Sequence, residues 1–86
     1  MPSVEELKLH VAASVDQTGR AVATMRAAGQ EIDEALARLR LTAVGSAHPT
    51  IMEAVARLEQ ARARLEEAQT LALASIDSAD AYRTLV

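Results

Sequence analysis

Apolar residues recur every seven positions along nearly the whole chain. Val4, Val11, Thr18, Met25, Ile32 and Leu39 form one rail in the first half, and Ile51, Leu58, Leu65, Ala72, Ala79 and Val86 form one in the second. Three residues beyond runs a companion series of mostly small residues: Leu7, Ser14, Ala21, Ala28, Ala35 and Thr42, then Ala54, Ala61, Ala68, Ser75 and Tyr82. A seven-residue apolar repeat is the signature of a helix seam packed against another helix. The pattern therefore predicts two long helices, one over about 3–44 and one over about 50–84, with a turn at 45–49.

The punctuation agrees. Ser3-Val4-Glu5-Glu6 has the form of a capping box, with acids in the first turn as the helix dipole favours. Gly45 and Pro49 bracket the turn. The glycine is expected to end helix 1 at positive φ, and the proline moves His48 out of the helical region. Thr50-Ile51-Met52-Glu53 repeats the capping pattern, so Thr50, or alternatively Ser46, is the expected start of helix 2. Gly19 and Gly29 fall inside helix 1. They read either as breaks, giving three or four helices, or as interior glycines of one continuous helix costing about 1 kcal/mol each. The unbroken seven-residue phase favours continuity, with Gly29 a point of close backbone approach by a partner.

The two halves mirror one another about Val44-Gly45. Counting outward, Leu39 meets Ile51, Ile32 meets Leu58 and Met25 meets Leu65. The small rails give Ala35 against Ala54, Ala28 against Ala61 and Ala21 against Ala68. The expected fold is all-α: an antiparallel two-helix hairpin, an alanine-rich coiled coil forming a single domain over 1–86.

Composition shows how little such a hairpin can bury. Half the residues are hydrophobic, but nineteen are alanine, with one Tyr and no Phe or Trp. At about 25 cal/mol per Å² a two-helix core of this kind is thin. Without Cys there is no disulfide or thiolate zinc site to reinforce it. Association remains, and dimerisation into a four-helix bundle is expected. Apolar residues off the seam supply the expected interaction surface: Val15, Val22 and Leu36 on helix 1, and Val55, Leu71, Leu73 and Ile76 on helix 2. The wide apolar arc from Thr70 to Ile76 points to the half nearest the termini.

Charge and motifs narrow the function. A net charge of −3, with Arg and Glu alternating along both arms, argues against nucleic-acid binding. No run approaches the roughly 20 apolar residues of a membrane span, and the N-terminus lacks the apolar core of a signal peptide, so the cytoplasm is the default location. No nucleophile elbow, phosphate loop or His-Glu metal motif appears. Glu6 with His10 and Asp77 with Asp80 share helical faces, but each reads as an exposed polar pair. Glu53/Arg57 and Arg62/Glu66 read as solvated i,i+4 pairs on the outer face. Thr18, Ser14 and Ser75 are the polar groups expected to face inward. The expectation is a non-enzymatic protein–protein interaction module that forms a homodimer and has no cofactor or metal.

An alanine-rich hairpin of this length with Gly45 in its turn also resembles the WxG-motif family of small helical substrates of type VII secretion. That family carries Trp-x-Gly in the turn and Tyr-x-x-x-Asp/Glu after helix 2. Here position 43 is Ala, and the residue four beyond Tyr82 is Val86. What the resemblance implies is dimerisation and export with a partner. The composition is similar to that of short proteins of high-GC bacteria.

Overall fold

The computed structural model describes residues 1–46 and 48–86. Helix α1 spans Val4–Gly45 and α2 spans Pro49–Leu85, so the chain is an all-α hairpin. Forty-two residues at 1.5 Å each extend about 63 Å. The molecule measures 62 × 20 × 15 Å, so α2 lies back along α1 for its whole length.

Each helix end has a local cause. Ser3 caps α1 in extended conformation, its hydroxyl oxygen accepting from the Glu6 amide at 3.1 Å. Helix α1 runs unbroken through Gly19 and Gly29, which settles the alternative in favour of one continuous helix. Its C-terminus departs from expectation. No described glycine has positive φ. Instead Gly45 completes the helix, and Ser46 leaves it at φ −145°, donating its amide to the Ala43 carbonyl at 3.4 Å. The start of α2 also differs. His48, not Thr50 or Ser46, is the cap: its Nδ1 accepts from the Thr50 amide at 3.2 Å, and Pro49 occupies the first helical position. Proline suits that place because the amide it lacks would have no helical partner. Ala47, at the middle of the predicted turn, lies outside the described residues.

The first rail is where the sequence predicts it, except for its outermost pair, Val4 and Val86, which are exposed. Val11, Thr18, Met25, Ile32 and Leu39 are half-buried, as are Ile51, Leu58, Leu65, Ala72 and Ala79. The companion rail is not. It lies four residues on rather than three: Val15, Val22, Gly29, Leu36 and Ala43 on α1, and Val55, Arg62, Gln69 and Ile76 on α2, all buried or half-buried. The apolar core is therefore Val22, Leu36 and Val55, at 3, 4 and 7% exposure. The alanine rails sit at the edge of the seam, with Ala21, Ala35 and Ala61 exposed and Ala28, Ala54 and Ala68 half-buried.

Thr18, Arg62 and Gln69 are the polar side chains of the seam, and the first two bond in different ways. The Thr18 hydroxyl donates to the Ser14 carbonyl one turn back, at 2.8 Å, so it makes no demand on α2. Arg62 reaches Asp33 across the seam at 3.0 Å. It does not stand on an outer face paired with Glu66, as its spacing suggests.

Candidate interaction faces

The helical phase of the seam determines what each flank of the hairpin presents. Rows one and three residues beyond the first rail lie on opposite sides of an antiparallel pair. One flank carries Glu5, Arg26, Asp33 and Arg40 from α1, with Glu59, Glu66, Leu73 and Asp80 from α2. The cross-helix ion pairs Asp33–Arg62 at 3.0 Å and Arg40–Glu59 at 3.2 Å mark that side. Near the termini it continues into a shallow polar depression lined by Glu5, Lys8, Leu9, Ala12, Asp80, Arg83 and Thr84. Within it Arg83 bonds Asp80 at 3.1 Å.

On the other flank the two rows beside the seam contain no charged residue. It holds the two alanine rails side by side: Leu7, Ser14, Ala21, Ala28, Ala35 and Thr42, with Ala54, Ala61, Ala68, Ser75 and Tyr82. Leu71 and Leu85, 71 and 84% exposed, extend this face outward on α2 in the half nearest the termini. In the half nearest the turn, Glu31, Arg38, Arg57 and Arg64 border it instead.

Thus the seven residues expected to form one interaction surface are divided by the structure. Val22, Leu36 and Val55 are buried in the hairpin's own core, and Val15 and Ile76 are half-buried in the same rail. None of these five is on an outer face. Leu71 and Leu73 are exposed but lie on opposite flanks of α2, because two residues along a helix rotate the side chain by about 200°. The face that sequence reasoning missed was already visible as the small rails, which the structure moves from the seam to its uncharged edge.

The seam's polar layer has its own geometry. Gly29 faces the Arg62 guanidinium: a Cβ on Gly29 would stand 3.1 Å from Arg62 Cζ and 3.3 Å from Nη1. Nη1 is buried there without a hydrogen-bond partner, while Nε donates to Asp33 Oδ1. The hydrogen bond to Asp33, chiefly, raises the Arg62 pKa above the ordinary arginine value, against the lowering effect of desolvation. Arg62 therefore stays charged.

Among the described residues no three His, Asp or Glu side chains gather where they could hold a metal ion. No helix is long and apolar enough to cross a membrane. No protein-family model, curated protein or solved structure matches the chain.

Proposed function

We propose that this chain is a non-enzymatic interaction module that self-associates through its uncharged face, two hairpins stacking into a four-helix assembly. The observation carrying this reading is the excess of exposed surface. A compact chain of 9.2 kDa exposes about 4,900 Å². This one exposes 6371 Å², and among the described residues only three apolar side chains are buried. The uncharged flank is the side on which covering that excess costs least, since charged groups are expensive to desolvate. The hairpin is 62 Å long and 20 Å across, so a flank running along it has room for the ~800 Å² per partner of a standard interface. Its alanines let backbones approach closely, and Leu7, Leu71, Tyr82 and Leu85 supply larger side chains to set between them.

The test places charge on that face without touching the seam. Ala21 and Ala61 are exposed, so an A21E/A61E variant should keep its helicity. Like charges across an interface cost several kcal/mol, so the dimer dissociation constant should rise at least a hundredfold in sedimentation equilibrium. An unchanged constant would remove this face from the interface.

A further inference from the structure

We infer that Gly29, Asp33 and Arg62 form a register lock, a polar layer that admits α2 to the α1 seam in one alignment only. This inference concerns pairing within one chain and does not rest on self-association. Three observations carry it. Gly29 is the one position of its rail with no side chain, and the Arg62 guanidinium fills that space. Asp33, four residues beyond Gly29, accepts from Arg62 Nε at 3.0 Å. The third is what stands at the neighbouring layers. A slip of seven residues one way sets Arg62 against Val22 and beside Arg26; a slip the other way sets it against Leu36 and beside Arg40. Either slip replaces a notch with a bulky aliphatic side chain and an ion pair with two like charges.

The apolar rails alone do not provide this discrimination. Their seven-residue repeat presents aliphatic residues to aliphatic residues in slipped alignments as well as in the native one. A buried polar group specifying register at some expense of stability is a known use of such layers. Here the short connection between Gly45 and Pro49 and the lock act at different points along the hairpin, so the alignment is held at its end and near its middle.

The test uses the full chain, which has no cysteine of its own. Cysteine at 21 is combined in separate variants with cysteine at 68, the native counterpart, or at 61 or 75, one slip either way. Intramolecular disulfide yield is measured in a glutathione buffer, with helicity followed in parallel. With the lock intact, only the 21–68 pair should close in high yield. Asp33→Arg should raise closure of 21–61 or 21–75 at least tenfold, because residue 62 then meets an arginine in every alignment. Arg62→Leu keeps the seam apolar and serves where Asp33→Arg lowers helicity; it too should permit the slipped pairs. Exclusive 21–68 closure in Arg62→Leu, with helicity retained, would overturn the lock.

Discussion

Three glycines in helical conformation are not equivalent, because what surrounds them differs. A Cβ on Gly19 or Gly45 would meet nothing within 4 Å. Gly19→Ala should therefore stabilise the chain by about 1 kcal/mol, the helix-propensity difference, read as a higher urea midpoint. Gly29→Ala should gain less than Gly19→Ala, since its methyl group must displace the Arg62 guanidinium from 3.1 Å. Equal midpoints for the two variants would mean that Arg62 does not occupy the notch. The caps supply a second pair of expectations. Ser3→Ala and His48→Ala each remove a side-chain acceptor from an otherwise unpaired amide. Each should cost about 1 kcal/mol by chemical denaturation. Thr50→Ala, which leaves the His48 cap intact, should change stability by less than half of that.

At the scale of the helices, the large rail could be read from the sequence because its aliphatic residues hold a strict seven-residue spacing in both arms. The mirror about the turn could be read for the same reason. The second rail could not, because Gly29, Arg62 and Gln69 interrupt it, whereas alanine keeps a clean period one residue to the side. Alanine gains little on burial, so its regularity is weak evidence for a core position. Val15, Val22 and Leu36 also recur at sevens or multiples of it, and Val15 and Leu36 mirror Ile76 and Val55 about the same turn. Weighting side-chain size over regularity would have found them. The same reasoning separates two leucines. Leu36→Ala should cost about 2–4 kcal/mol, because Leu36 is buried and leaves a cavity. Leu71→Ala, on an exposed outer position, should stay within about 0.5 kcal/mol for the monomer. Comparable losses at both sites would place Leu71 in the seam and contradict the observed phase.

The whole molecule is a rod with two unlike flanks. Its Cα radius of gyration is 19.3 Å, against about 12 Å for a compact chain of 86 residues. That shape explains how a chain half hydrophobic by composition buries so little: one helix gives another only a narrow stripe to cover. Cross-helix ion pairs occupy one flank, where their exposed geometry contributes modestly to stability. On the opposite flank the rows beside the seam carry no charged residue, and this is the surface proposed for a second copy. The most direct measurement is mass by sedimentation equilibrium over a micromolar concentration series, with helicity recorded on the same samples. The expected result is a shift from 9.2 kDa toward twice that value as concentration rises. A fully helical species that stays at 9.2 kDa throughout would contradict the proposed self-association.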